Sequence, residues 1–153
     1  MPRPRPLSFH DVSAAMELCE EARWNQTADD WRMLIERDQE ACFGLYMEGE
    51  LAATTTLVCY GKGLGWIGMV LTRERFRRRG CASLLVKHAI ELAAARGIET
   101  LKMDATDMGA PIYASLGFAG EQPVERWLGE IPPCLETGKD GEAGAISGQL
   151  DLE

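Results

Sequence analysis

The chain has 153 residues, 46% of them apolar and 26% charged, with a formal net charge of −8. That length suits one ordinary domain with a core of its own, and the acidic balance excludes a general nucleic-acid binder. No apolar run reaches the ~18 residues of a membrane span, and the N-terminus lacks the apolar stretch of a secretory signal, so the default expectation is a cytoplasmic protein. Five cysteines (Cys19, Cys42, Cys59, Cys81 and Cys134) contain no CxxC pair, and only two histidines, His10 and His88, are present. No disulfide framework and no metal site is expected from them.

In chain order, Leu7 to Phe9 reads as a short first strand. Asp11 is placed to cap a helix over 12–23, where Val12, Ala15, Met16 and Cys19 recur at helical spacing. A polar-aromatic loop follows, and Thr27 with Asp30 has capping-box spacing ahead of a second helix whose face is Trp31, Leu34 and Ile35. Strands are expected over Ala41–Met47, threonine-rich Leu51–Tyr60 and Leu64–Thr72, with turns at Glu48-Gly49-Glu50 and Gly61-Lys62-Gly63. Gly68, inside the last of these strands, suggests a bulge or a close backbone approach.

The strongest helical period runs through Ala82, Leu85, Val86, Ala89, Ile90 and Ala93, and Arg96-Gly97 closes it. Ile98 to Asp104 then reads as a buried strand, Gly109 to Ser115 as a short helix and Val124 to Ile131 as a last strand. Pro132-Pro133 stops regular structure, and 132–153 reads as a flexible tail rich in glycine and acid, or equally as a linker to a further domain or the remnant of one. The order gives an α/β (α+β) domain over 1–131, with a mixed sheet of about six to seven strands and helices on both faces. Its strand–helix–strand crossover is expected to join parallel strands.

Five of the sixteen basic residues lie between Arg73 and Arg79. Such a cluster in an acidic chain suggests a local anionic ligand; a solvated charged loop is the plain alternative. The position favours the ligand. The cluster sits between a strand and a helix, and a helix start offers unpartnered N–H groups and partial positive charge to a phosphate. Gly80 lets the backbone approach closely and Ala82 is small, while Arg77, Arg78 and Arg79 add charge-assisted contacts. Arg73 and Arg75 read as surface. The spacing is neither that of a nucleoside-triphosphate loop nor that of a dinucleotide fold.

The Arg77-x-x-Gly80-x-Ala82 pattern resembles the first motif of the GNAT superfamily of N-acetyltransferases. Tyr113-Ala114-Ser115-Leu116-Gly117-Phe118 resembles its second motif, Tyr-x-x-Leu-Gly-Phe, one helix and one strand downstream. Trp24-Asn25-Gln26-Thr27, Trp66-Ile67-Gly68-Met69-Val70 and Asp104-Ala105-Thr106 are similar to a bacterial subgroup, whose members often carry a second lobe. The resemblance covers about residues 5 to 131.

It implies transfer of an acetyl group from acetyl-CoA, as co-substrate and with no metal, to a primary amine by direct attack in a ternary complex. The backbone of Met69, Val70, Leu71 and Thr72 would hold the pantetheine arm and polarise the carbonyl. Arg77, Arg78, Arg79, Gly80, Cys81, Ala82 and Ser83 would hold the pyrophosphate, and Tyr113 would protonate the departing thiolate. The fourth strand carries no acid, so Asp104 and Asp107 are the nearest candidates for a base, or the amine arrives deprotonated through water. Cys81 and Trp66 read as packing residues and His88 as solvated. Trp24 and Asn25 line an acceptor pocket, or Trp24 staples the two helices.

The acceptor is expected to be a small-molecule or protein amine. Neither nucleic acid nor membrane is an expected partner, and a homodimer stays open. The alternatives are a non-catalytic acyl-CoA sensor or partner subunit and, more distantly, a phosphopeptide or nucleotide binder.

Overall fold

Strand-forming residues are concentrated between Cys42 and Thr72, and that stretch builds the body of the sheet. The computed structural model describes residues 2–124. The chain divides into two units, Met1–Gln122 and Pro123–Glu153, and the elements below are those of the first. Five strands lie in the order β1 (Arg5–Pro6), β2 (Cys42–Met47), β3 (Glu50–Tyr60), β4 (Leu64–Thr72) and β5 (Thr100–Lys102). The first three pairings are antiparallel and β4 with β5 is parallel, so the sheet is mixed, as expected. Five of the six to seven strands expected are present among the described residues. The last strand anticipated over 124–131, Val124 apart, and the tail over 132–153 lie outside the described residues.

Four helices flank the sheet: α1 (Val12–Glu21), α2 (Ala28–Arg37), α3 (Cys81–Ala95) and α4 (Ala110–Ser115). On one face α3 and Tyr113 of α4 close over Phe43, Leu45, Leu57 and Ile67. On the other, α1 and α2 bury Leu18, Trp31 and Ile35 with Leu51 and Leu71 of the sheet. The α2 capping box forms as its spacing predicts: Asp30 N–H donates to Thr27 Oγ1 at 3.3 Å and Thr27 N–H to Asp30 Oδ2 at 2.7 Å. None of the helices among the described residues is long and apolar enough to cross a membrane.

The structure corrects four local expectations. The first strand ends at Pro6, before Leu7, because Asp11 reaches back to Ser8, whose N–H and Oγ donate to Oδ2 at 2.8 and 2.9 Å. Phe9–Asp11 winds into a 3-10 turn as a result. Asp11 therefore closes that turn and gives α1 no side-chain cap. Helix α1 stops at Glu21 rather than 23. Arg23 takes φ +56°, and the N–H groups of Arg23 and Trp24 bond to the Glu20 and Cys19 carbonyls, a Schellman ending made without glycine. The expected buried strand over Ile98–Asp104 shrinks to three half-buried or exposed residues.

Asp11 also anchors the sheet edge. It accepts a short hydrogen bond from the Tyr46 hydroxyl and pairs with Arg5 at 3.2 Å, whose guanidinium lies 3.8 Å from the Tyr46 ring centroid. Burial alone would raise the Asp11 carboxyl. The bonds from Tyr46 and Ser8 and the charge of Arg5 outweigh burial and hold it below its ordinary range. Burial and the Asp11 contact push the Tyr46 phenol well above its own.

Asp11→Asn should lower the unfolding free energy at neutral pH by about 1.5–3 kcal/mol, the range for hydrogen bonds to a charged group. The folded-state carboxyl is depressed, so this stability is present above the unfolded value of about 3.9 and lost as pH falls through the folded one. Urea melts taken from neutral pH into acid should show wild type and variant converging.

Candidate functional site

Strand β4 is unequally paired on its two edges. Its register with β5 covers only Leu64–Trp66 against Thr100–Lys102, so from Ile67 to Thr72 that edge faces no strand among the described residues. On the other edge Thr56 pairs with Gly68 and Thr54 with Leu71. Two steps on β3 therefore oppose three on β4, which is a bulge at Met69 and Val70. Met69 takes φ +49°, a region that L side chains occupy at about 1–2 kcal/mol. The bulge suggested by Gly68 is thus present, and the residue in the unusual conformation is the next one along. Two bonds hold it: Thr54 Oγ1 donates to the Met69 carbonyl at 2.8 Å and Thr55 Oγ1 to the Gly68 carbonyl at 3.2 Å. Read from sequence, these threonines are only strand formers.

After Thr72 the chain makes a 3-10 turn over Glu74–Phe76, with Phe76 fully buried, and enters α3. The arginines divide into distinct roles. Arg73, expected on the surface, has a side chain only 13% exposed. It bonds Glu17 and Glu21 of α1 at 2.8 Å each and the Leu51 carbonyl at 3.2 Å. Arg75 pairs with Glu50. Arg77 Nε donates to the Thr72 carbonyl at 3.3 Å, so this side chain braces the end of β4. Arg79 pairs with Glu48 at 3.1 Å; that pair is exposed, worth at most about 1 kcal/mol, and open to exchange. Arg78 is exposed with φ +61° and has no ion-pair partner among the described residues.

Gly80 takes φ +80° at the start of α3, and no side chain caps that end. The first-turn amides of Cys81, Ala82 and Ser83 are left for an anion, as the sequence suggested. A Cβ on Gly80 would meet no atom within 4 Å, so its backbone conformation is what requires glycine here. Cys81 packs as expected, buried with Sγ 3.6 Å from Met47 Sδ and 3.7 Å from the Phe76 carbonyl. Burial pushes its thiol up, against a smaller opposing pull from its own N–H and Arg79.

Tyr113 is buried on the α3 face of the sheet, in the same apolar cluster as Val70, Phe76 and Cys81. The residues around it account for the Tyr-x-x-Leu-Gly-Phe pattern. Helix α4 ends with Gly117 at φ +97°. The Phe118 N–H returns to the Tyr113 carbonyl at 3.1 Å and the Gly117 N–H to Ala114 at 3.1 Å. That is a Schellman ending whose apolar contact is Phe118 on Tyr113, edge-on with centroids 6.4 Å apart. Burial pushes the Tyr113 phenol up, so it is protonated at neutral pH and its hydroxyl can donate a proton.

The other candidates separate. Asp104 and Asp107 are exposed, and it is Thr106 Oγ1 that accepts the Gly109 N–H at the start of α4, at 3.3 Å. Trp24 packs on the core of α1 and α2 while Asn25 is exposed, and Trp66 is half-buried. His88, expected to be solvated, is half-buried with its ring 4.6 Å from that of Phe43, because α3 lies close on the sheet. A cavity of about 70 Å³ lined by Leu34, Asp38, Cys42 and Cys59 lies toward the opposite end of β4, since Cys59 pairs with Gly65. Burial raises its Cys42 thiol to about 12.

Residues 9–118 match the family model described as the acetyltransferase (GNAT) family. Among solved structures, a protein from Pyrococcus horikoshii is similar at 17% identity and TM-score 0.69, covering 84% of this chain and 52% of its own. The ribosomal-protein-S18-alanine N-acetyltransferase of Escherichia coli is similar at 20% identity and TM-score 0.68, with 80% of each chain covered. Glucosamine-6-phosphate N-acetyltransferase from Arabidopsis thaliana is similar at 16% identity and TM-score 0.67, covering 85% of this chain and 99% of its own. The chain thus spans about half the length of the Pyrococcus protein. No curated protein sequence matches it.

A Cβ on Gly109 would lie 2.6 Å from the Tyr113 ring and 3.0 Å from its hydroxyl. Gly109→Ala should therefore displace Tyr113 and destabilise the fold by about 1–3 kcal/mol, as overpacking does. Urea denaturation and tyrosine near-ultraviolet dichroism would show both effects.

Proposed function

Because the chain belongs to the acetyltransferase (GNAT) family, we propose that it moves an acetyl group from acetyl-CoA to a primary amine by direct attack in a ternary complex. One observation carries this reading. Within the fifteen residues Met69–Ser83 the chain presents a bulged strand with an open edge, a positive-φ glycine and an uncapped helix start. The two ends suit the two halves of one elongated donor, an acyl-pantetheine arm and a diphosphate.

In this reading the backbone of Met69, Val70, Leu71 and Thr72 takes the pantetheine arm along the free edge of β4. N–H groups at the bulge polarise the thioester carbonyl, an electrostatic role that strengthens as negative charge develops on that oxygen. The amides of Gly80, Cys81, Ala82 and Ser83 hold the pyrophosphate with the exposed guanidinium of Arg78. Arg79 joins by exchanging Glu48 for phosphate. Arg77 contributes by bracing Thr72. Tyr113, kept protonated by its burial, donates its phenolic proton to the departing thiolate as negative charge develops on the sulfur.

No acid stands on β4, and the acceptor amine is read as arriving deprotonated through water. The net charge of −8 favours a cationic acceptor, a small molecule or a protein amine. The setting proposed is the cytoplasm. An acyl-CoA sensor would keep the same donor grip, and turnover separates the two readings.

Calorimetry should show acetyl-CoA binding; none at about 1 mM, the upper end of ordinary substrate affinities, removes the proposal. Tyr113→Phe keeps the ring and its packing. It should lower kcat by about a hundredfold or more, the scale of general-acid catalysis, while changing acetyl-CoA affinity less than about threefold. Unchanged turnover would take Tyr113 out of the chemistry.

A further inference from the structure

Three consecutive threonines, Thr54, Thr55 and Thr56, are 0%, 0% and 2% exposed in the middle of β3. Valine prefers strands equally and brings no hydroxyl, and a buried hydroxyl is unfavourable unless hydrogen-bonded. Two of these hydroxyls are bonded in one place, to the adjacent carbonyls of Gly68 and Met69. They reach those carbonyls from opposite faces. Side chains alternate across a sheet; Ala53 and Leu57, which flank Thr55, belong to the α3 face, and Leu71, opposite Thr54, to the α1 and α2 face.

The peptide plane makes this consequential. A trans peptide is rigid, and its carbonyl and the N–H of the next residue point in opposite directions. In a regular strand successive carbonyls point to alternate edges. Here the Gly68 and Met69 carbonyls are both turned toward β3, so the N–H groups of Met69 and Val70 both turn away from β3, toward the edge that β5 leaves open.

We infer that Thr54 and Thr55 are positioning residues for acyl transfer: their hydroxyls hold the Gly68 and Met69 carbonyls so that two consecutive backbone N–H groups converge on the thioester oxygen. This rests on the donor-site reading above. The threonines do not touch the substrate; they act through the bulge, whose residues Met69 and Val70 have no paired residue of their own on β3.

The test is the carbonyl stretch of isotope-labelled acetyl-CoA bound to the whole chain, read by infrared difference spectroscopy, which needs no acceptor. Hydrogen bonds to that oxygen lower its frequency. The wild type should show a downshift on binding. Thr54→Val should lose about half of it or more while Kd changes less than about threefold, since the contacts removed act on the reacting oxygen rather than on the rest of the donor. Thr54→Ser, which keeps the hydroxyl, should restore it. A full downshift in Thr54→Val, or a serine variant no better than the valine one, overturns the positioning role. Should Thr54→Val fail to fold, Thr55→Val asks the same question through the Gly68 carbonyl, and a full downshift there overturns the role. A wild type that binds without any downshift, or does not bind, overturns the donor-site reading instead.

Discussion

A strand inside a sheet has backbone groups on two edges, and each must find a partner. Strand β4 finds one along β3 from end to end apart from the bulge at Met69 and Val70, but along β5 only from Leu64 to Trp66. Beyond that point the sheet opens, and the bulge at Met69 re-aims backbone groups into the opening. The rest of the site is arranged around this unequal pairing. The 3-10 turn buries Phe76 under the sheet, Arg77 braces the last carbonyl of β4, and α3 begins at Gly80 with no side chain capping its first amides.

The arginines of the cluster differ in how firmly acids hold them. Arg73, whose side chain is the least exposed of the ion-paired ones in the cluster, is neutralised by Glu17 and Glu21, and exposed Arg75 is neutralised by Glu50. Arg73 ties α1 to the end of β4 through two ion pairs, to Glu17 and Glu21, so the helix leading into the Trp24 loop is fixed to the strand that carries the bulge. Two arginines beside the start of α3 are less committed: Arg79 is on an exposed pair with Glu48, and Arg78 has no acid partner among the described residues. An acidic chain thereby keeps a small cationic spot at one helix start, where an anion gains most from helix charge and guanidinium together.

Local signals made much of this legible in the sequence. The α2 capping box, the α3 period, the Arg96-Gly97 ending, the turns of the β2–β4 meander and the glycine before α3 are each set within a few residues. The features that were misread depend on distant partners. Nothing near Arg73 announces Glu17 and Glu21, which lie 56 and 52 residues away. Asp11 could cap forward or backward, and Ser8 and Tyr46 decide it. Gly68 marked the bulge approximately, but the positive φ falls on Met69, because the cross-strand bonds of Thr54 and Thr55 define the site rather than the smallest residue. His88 looked solvated because the period of α3 does not reveal how closely that helix lies on Phe43. In the second motif, by contrast, the pattern has a local cause, a Schellman turn that folds Phe118 onto Tyr113.

The central claim is that one donor molecule lies along the free edge of β4 and across the start of α3. Titrating nitrogen-labelled protein with acetyl-CoA and following every backbone amide tests it directly. The largest shifts should fall on Met69 to Thr72 and on Gly80 to Ser83, moving together with a single dissociation constant. Shifts centred instead on the cavity beside Cys42 and Cys59, or two sets that saturate independently, would contradict the account.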